Sequence, residues 1–363
     1  MIQSLYIHIP FCDSICPYCD FCKVITNSFS HEKYIDSLLK EIDSLNIPEN
    51  SLKTIYIGGG TPTCLSRAEF SRLLSYLHQH FPATEEFTVE GNPESTDYEK
   101  CQIMSINGVN RVSLGVQSAN ETILKSLYRR HNRNDVINSV ENLRKSGITN
   151  INLDFIYGLP EMTEKDIDDD LSFAFSLNPS HLSFYSLQIE EGTIFYNQKL
   201  ESESDEQLAK DYNHIRFSLQ KHGYQRYEVS NFSKPGFESK HNLTYWKDQQ
   251  YYACGVSASG YIGNKRYVNT KSISNYIKGI NHQKVDLIDS KSEEFEYLML
   301  NLRLTKGFKI SDFNQRFNKN FFEEYFQEIQ NITCKYISLR NETLRIKKPY
   351  IYIMDTILLK LLK

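Results

Sequence analysis

Leu5-Tyr6-Ile7-His8-Ile9-Pro10-Phe11-Cys12-Asp13-Ser14-Ile15-Cys16-Pro17-Tyr18-Cys19-Asp20-Phe21-Cys22 is the stretch from which the rest of the 363-residue chain can be read. It opens with a short apolar run, Leu5–Ile9, of the kind that forms a strand buried on both faces. Four cysteines follow, on the loop that leaves the end of that strand. The chain holds 8 Cys, too few for a disulfide scaffold, and their concentration in one loop favours metal ligation in a reducing cytoplasm. Thiolates are soft ligands suited to zinc or to an iron–sulfur cluster. Structural zinc sites ordinarily pair two knuckles far apart in sequence, and no second knuckle exists here. The spacing of Cys12, Cys16 and Cys19 suits three corners of a [4Fe–4S] cube with one iron left open, with zinc as the alternative. Cys22 stands beside this set as a thiol without a required role.

Outward from this loop, short β-branched runs alternate with amphipathic stretches. Strands are expected at Thr54–Ile57, Phe87–Glu90, Arg111–Val116, Asn150–Phe155 and His181–Leu187. Helices are expected at His31–Leu45, Ser66–His80, Thr96–Ile106, Glu121–Leu127, Asn134–Ser146 and Thr163–Ser176. Six strand–helix repeats predict a parallel α/β sheet with right-handed crossovers. Periodicity does not choose between an incomplete barrel and a flat doubly wound sheet, but both place function at the C-terminal strand ends. After Gly223 the pattern changes. Tyr224–Ser230 reads as a strand and Ser233–Gly236 as a turn. Ser292–Leu304, Ser311–Phe317 and Phe321–Ile329 read as helices. A hairpin is expected around Arg340-Asn341-Glu342, and a last helix, Asp355–Leu362, capped by Asp355. Helix, helix, helix, hairpin suggests a small α+β winged-helix-like domain. The expected division is 1–225, a connecting segment 226–290, and a C-terminal domain 291–363.

Composition excludes several classes. Lys and Arg number 41 against 45 Asp and Glu, and the C-terminal region has no basic run, so nucleic acid is not an expected partner. No apolar run approaches the length of a transmembrane helix. His8 and Pro10 stand where a signal peptide needs an apolar core, so a cytoplasmic protein is expected.

C-x3-C-x2-C after a first strand resembles the radical S-adenosylmethionine (SAM) superfamily. Tyr6-Ile7-His8-Ile9-Pro10-Phe11 before it and Asp20-Phe21 after it resemble the coproporphyrinogen-dehydrogenase branch, and within it the HemW heme chaperones. The resemblance covers nearly the whole chain. It implies a partial (β/α)6 barrel with a C-terminal domain. It also implies that Cys12, Cys16 and Cys19 bind three irons of a [4Fe–4S] cluster whose fourth iron is chelated by SAM, and that the chemistry is one-electron.

The strand ends supply candidate SAM contacts. Gly58-Gly59-Gly60-Thr61-Pro62 after the second strand lets backbone approach a ligand, with N–H and C=O free to bond an amino-acid end. It resembles the family's SAM loop, which implicates Gly59, Gly60 and Thr61. Glu90, Gln117 and Asp154 are polar groups at the ends of buried strands, where they need partners. Arg129 can pair with a carboxylate as a fork. All four match SAM-contacting positions of the family. The competing reading is an internal salt bridge among strand ends, such as Arg129 with Glu90. Tyr6 and Tyr18 flank the cluster and Gln188 ends the sixth strand; all three are further cofactor candidates.

A second segment, His241-Asn242-Leu243-Thr244-Tyr245-Trp246, holds the only Trp. Imidazole is a common heme ligand and aromatics stack on porphyrins, although a lone His is more often a capping residue. The H-N-x-x-Y-W pattern resembles the signature that the family associates with heme, which makes His241 the candidate heme ligand. Gly255–Gly260 resembles a glycine-rich turn near the substrate, and Glu294–Gly307 the opening of the family's C-terminal domain. Two features stand against an oxygen-independent coproporphyrinogen III dehydrogenase, the alternative function. The chain begins close to its first motif, and its cysteine run ends C-x2-C where those enzymes have C-x-C. The expected function is therefore a heme chaperone. Its expected partners are heme and an acceptor protein such as a membrane respiratory protein, with a homodimer left open.

Overall fold

The structure is a computed structural model that describes residues 1–281, 283–332 and 335–361. The expected strand–helix repeats form: β1 (Ser4–Ile9), α1 (His31–Ser44), β2 (Thr54–Gly59), α2 (Arg67–His80), β3 (Glu86–Gly91), α3 (Tyr98–Ile106), β4 (Arg111–Gln117), α4 (Glu121–Ser126), α5 (Arg133–Lys145), β5 (Asn150–Tyr157), α6 (Glu164–Leu177) and β6 (His181–Ser186). The six strands are parallel and neighbour one another in sequence order. Several helix starts are capped by side chains: Ser66 and Asp97 accept N–H bonds at α2 and α3, and Asn132 and Thr163 form capping boxes at α5 and α6.

Alternation along the strands settles the choice that periodicity left open. Leu5, Ile7, Ile55, Ile57, Val89, Val112, Leu114, Ile151, Leu153, Leu182 and Phe184 point one way, into a core shared with helix residues such as Leu38, Leu73, Val140 and Leu171. The intervening residues, among them Tyr56, Glu90, Ser113, Asp154 and Ser183, point the other way and line a single cavity. A flat doubly wound sheet would carry helices on both faces; here one face takes the helices and the other curls around a polar interior. The strands are thus not buried alike on both faces.

The rest of the chain completes this open barrel. α7 (Asp205–Lys221), which periodicity did not mark, packs beside α6. The strand expected at Tyr224–Ser230 is instead a tight hairpin of β7 (Gln225–Arg226) and β8 (Asn231–Ser233), with β8 antiparallel to β6. The chain turns because the Glu228 carboxylate accepts the Ser230 N–H at 3.0 Å and the Tyr227 hydroxyl meets His181 Nε2 at 2.8 Å. α8 (Lys240–Trp246) carries the H-N-x-x-Y-W segment, and β9 (Tyr252–Cys254) joins the sheet parallel to β1. Among the described residues, the sheet order is β9-β1-β2-β3-β4-β5-β6-β8-β7, and its two edges do not meet. A separate antiparallel sheet follows: β10 (Ser259–Ile262), β11 (Lys265–Val268) and β12 (Lys284–Leu287).

The C-terminal part has the expected winged-helix arrangement: α9 (Ser290–Asn301), β13 (Phe308–Lys309), α10 (Ile310–Phe317), α11 (Phe321–Asn331) and the hairpin β14 (Ile337–Arg340) with β15 (Thr343–Ile346). β13, too short to show in the sequence, closes the sheet against β15. Tyr297, Phe308, Phe313, Phe317 and Phe321 pack edge to face as its core. The last helix is α12 (Met354–Leu358), followed by a 3-10 turn, Leu359–Leu361; Leu362 lies outside the described residues. Asp355 does not cap it: Ile353 holds the cap position, and Asp355 accepts from Arg303 at 3.4 Å. The C-terminal part is tied to the end of α8 by the buried Asp248, which pairs with Arg316 at 2.7 Å and Arg266 at 3.2 Å.

Candidate functional site

The barrel interior encloses a cavity of about 590 Å³ whose mouth carries Cys12, Cys16 and Cys19. Each thiol of the trio meets a donor or a cation. Thr61 Oγ1 donates to Cys12 Sγ at 3.6 Å, and Arg129 Nη1 to Cys16 Sγ at 3.8 Å. Burial raises the Cys19 thiol, and the Lys23 ammonium, bonded to the Cys19 carbonyl, pulls against that rise. Burial pushes the Cys12 thiol up to about 11, so a thiolate there needs a metal cation beside it. Gly60 leaves room for that sulfur, since a Cβ on it would stand 2.9 Å from Cys12 Sγ. Cys22 is placed differently: it does not line the cavity, and its Sγ donates to the Lys271 carbonyl at 3.7 Å. Among the described residues, no three His, Cys, Asp or Glu side chains gather around a single ion. A cube, which takes its thiolates at separate corners, makes no such demand. Three thiols with hydrogen-bond donors aimed at two of them are a donor set that fits a [4Fe–4S] cluster.

Behind the cysteines lie Gly59, Gly60 and Thr61. Their N–H groups are not free, as the sequence suggested, but donate to Glu90 Oε2 at 3.2 Å, the Ile9 carbonyl at 2.8 Å and the Phe11 carbonyl at 2.7 Å. The loop is thereby locked to the cysteine loop, and what it can present to a ligand is carbonyl oxygen. Glu90 lines the cavity and accepts from the Tyr56 hydroxyl at 2.6 Å. Burial pushes its carboxyl up to about 7, and the negative charge of Asp154 adds to that, against the pull of the Tyr56 and Gly59 donors.

The competing Arg129–Glu90 salt bridge does not form. Arg129 Nη2 donates to Asn92 Oδ1 at 2.8 Å and to the Gly115 carbonyl at 2.6 Å, and its buried Nε has no partner. Gln117 faces the cavity from a bulge in β4, with φ +67°. Asp154 accepts from Ser113 at 2.7 Å and Asn152 at 2.8 Å, and burial raises its carboxyl. Tyr18 and Gln188 also line the cavity, Gln188 from an exposed position bonded to Ser186 at 3.1 Å. Tyr6 is not among the lining residues; its hydroxyl meets His8 Nδ1 at 3.1 Å. The interior thus offers a carboxylate, a guanidinium with one unbonded nitrogen, an amide and carbonyl oxygens. These groups match the ammonium, carboxylate and hydroxyls of SAM.

His241 is held quite otherwise. It is fully buried in α8, packed against the inward-facing Thr54 and Tyr56 of β2. Its Nδ1 meets Thr54 Oγ1 at 2.9 Å and its Nε2 meets the Tyr245 hydroxyl at 2.7 Å. Burial, with the charge of Arg111, pushes its imidazole down to about 3. Both ring nitrogens of His241, the residue expected to meet heme, are thus engaged by neighbouring hydroxyls and neither is exposed. The Gly255–Gly260 turn also lies off the cavity; Gly255 packs so closely on β1 that a Cβ would stand 2.5 Å from the His8 carbonyl.

Sequence reasoning missed Tyr56, Asn92, Arg111, Ser113, Asn152 and Ser183, all of which line the cavity. A signal was available: polar residues recur every second position in Arg111-Val112-Ser113 and Asn152-Leu153-Asp154, which marks one strand face as polar.

The sequence profile of the radical SAM superfamily matches residues 6–174, and that of the HemN C-terminal domain matches residues 288–349. The chain is 40% identical over 339 residues to the heme chaperone HemW of Lactococcus lactis, covering 91% of this chain and 89% of that protein. It is 38% identical over 333 residues to the heme chaperone HemW of Bacillus subtilis, covering 88% of each. Among solved structures, it is similar to coproporphyrinogen III oxidase (HemN) from Escherichia coli, described as a radical SAM enzyme, with a TM-score of 0.85. That match covers 100% of this chain and 90% of the other at 22% identity, a likeness of fold.

Proposed function

This chain belongs to the HemW family of the radical SAM superfamily, and from that premise we propose that it binds heme and passes it to an acceptor protein while carrying a SAM-chelated [4Fe–4S] cluster. The observation that carries the reading is identity of 40% with a named heme chaperone over nine-tenths of the chain. Cys12, Cys16 and Cys19 would hold the cluster. Thr61 and Arg129 donate to two of their sulfurs, which favours the thiolate form and tunes the ligands. When bound, such a cluster supplies single electrons to SAM.

The chain's own residues supply binding and orientation. Glu90, in its ionised form, accepts from the SAM ammonium or from a ribose hydroxyl. Arg129 pairs with the SAM carboxylate through its unbonded nitrogen. Asp154 and Gln117 offer acceptors and donors to the remaining polar groups. The closed hydrogen bonding of Gly59–Thr61 fixes the wall against which SAM lies.

Heme would be handed to a protein of the respiratory membrane, and the carrier itself would work in the cytoplasm. Among the described residues, no helix is long and apolar enough to cross a membrane. The test is transfer: heme-loaded protein is incubated with membranes from heme-depleted cells, and the heme spectrum of the reisolated membranes is followed. Heme gained by the membranes supports the reading. Heme retained by the chain, together with turnover of coproporphyrinogen III in the presence of SAM and reductant, would replace it with the dehydrogenase.

A further inference from the structure

Arg111 is the first residue of β4, roughly 20 Å along the strand from Gln117, and it is 1% exposed. Its guanidinium lines the same cavity as the cysteines, from the opposite end of the strand. Two of its nitrogens, Nε and Nη1, are buried and have no hydrogen-bond partner. A buried cationic donor left unpaired is costly, and such a group in a folded protein calls for a physical explanation.

The neighbouring carboxylates do not provide one. Glu86 accepts from Ser239 Oγ, the Lys240 N–H and the His241 N–H, so its oxygens serve the start of α8. Asp154 is held by Ser113 and Asn152, and Glu90 by Tyr56 and Gly59. Their charges stabilise the Arg111 cation at a distance, but none receives its N–H groups. The surrounding cavity wall carries the neutral polar side chains Ser113, Asn152, Ser183 and Asn242 beside the carboxylates of Glu90 and Asp154. Asn242 belongs to the H-N-x-x-Y-W segment, which therefore reaches the cavity through its Asn, not its His.

We infer that Arg111 is an anion-receiving group, and that the deep end of the barrel takes the carboxylate of a second ligand, apart from the SAM groups at the cysteine end. A guanidinium cation left without a hydrogen-bonded partner is matched in charge by an anion such as a carboxylate. The carboxylate side chains of a porphyrin belong to this class. That identification rests on the heme reading; the subsite itself does not.

The test uses cluster-loaded protein labelled with 15N-arginine, with Arg111→Lys as the variant that assigns the Arg111 signal. Sodium propionate is titrated in, with propionamide as its neutral counterpart, each with and without SAM. A saturable shift of the Arg111 Nε signal with propionate and not propionamide, persisting with SAM bound, supports the inference. No saturable shift overturns it, leaving Arg111 a hydrated structural cation. A shift abolished by SAM overturns it also, since the carboxylate site would then be SAM's own. A second titration compares hemin with hemin dimethyl ester. At least ten-fold tighter binding of hemin by the parent, lost in Arg111→Met, assigns the carboxylate to the porphyrin. Equal binding of the two removes that assignment, and binding of neither removes the heme reading while the propionate result stands.

Discussion

The cysteine loop and the α8 segment are both short sequence signatures, and the fold treats them in opposite ways. Cys12, Cys16 and Cys19 line the cavity mouth, with donors from other elements aimed at two of their sulfurs. His241 lies against the inward face of β2 with Thr54 and Tyr245 on its two nitrogens, its ring 5.1 Å from that of Tyr56 and nearly parallel to it. Ser4 and Thr244 extend the same buried hydrogen-bond chain. The first signature presents its thiols to a cavity, whereas the second is hydrogen-bonded between strand, helix and cavity wall. A motif thus states that residue types matter together without stating whether they face a ligand or each other.

The contrast can be broken at either end. Cys16→Ala should give the largest effect, loss of the brown absorbance and of iron per chain after anaerobic reconstitution, with the fold retained by circular dichroism. A retained cluster would remove Cys16 from the ligand set. His241→Ala should act on stability instead, costing about 2–4 kcal/mol through an unfilled space and two stranded polar partners. Denaturant titration measures this, and an undiminished midpoint would return His241 to the role of ligand.

Glu90→Gln should weaken SAM binding by about 1.5–3 kcal/mol, the range for a hydrogen bond to a charged group. The Glu90 carboxyl ionises near 7 in the absence of ligand, and its carboxylate is the form that accepts from an ammonium. Parent affinity should therefore rise as pH climbs through 7, and the Gln variant should lose that slope; calorimetry across pH 6 to 8 decides. A smaller effect concerns acid stability. The folded His241 ionises near 3 against an ordinary 6.5, so as pH falls below 6.5 the unfolded chain takes up the proton first. The stability that the neutral ring contributes is complete above 6.5 and is lost progressively toward 3. The gap between parent and His241→Ala should narrow from pH 7 to pH 5, and a constant gap would show a ring that titrates freely. Cys22→Ser should change neither iron nor SAM binding; loss of iron there would mean a closed four-thiolate site.

Much of this arrangement was legible in the sequence. Each expected strand from Leu5 to Leu187 is present to within a few residues, because long apolar alternation and strong caps act locally. The cavity-lining positions of Glu90, Gln117 and Asp154 were legible too, because a polar group at the end of a buried strand has few other places to go, and Arg129 was legible from its family motif. What was not legible depends on contacts across the chain. β9 becomes a strand only by pairing with β1, and the hairpin at Tyr227–Ser230 forms because Tyr227 is pulled inward to His181. Burial of His241 depends on Thr54, 187 residues away, and the N–H groups of Gly59–Thr61 are taken by Glu90 and the β1 end.

Hemin titrated anaerobically into the cluster-reconstituted parent and its His241→Ala variant, followed at the Soret band, tests the central claim most directly. Saturation at one heme per chain in the parent, with the same stoichiometry in the folded variant, is the expected result: a heme carrier whose α8 histidine is a fastener. No saturable binding in the parent would contradict the heme reading, and saturable binding that vanishes in a stably folded variant would contradict the contrast between the two regions.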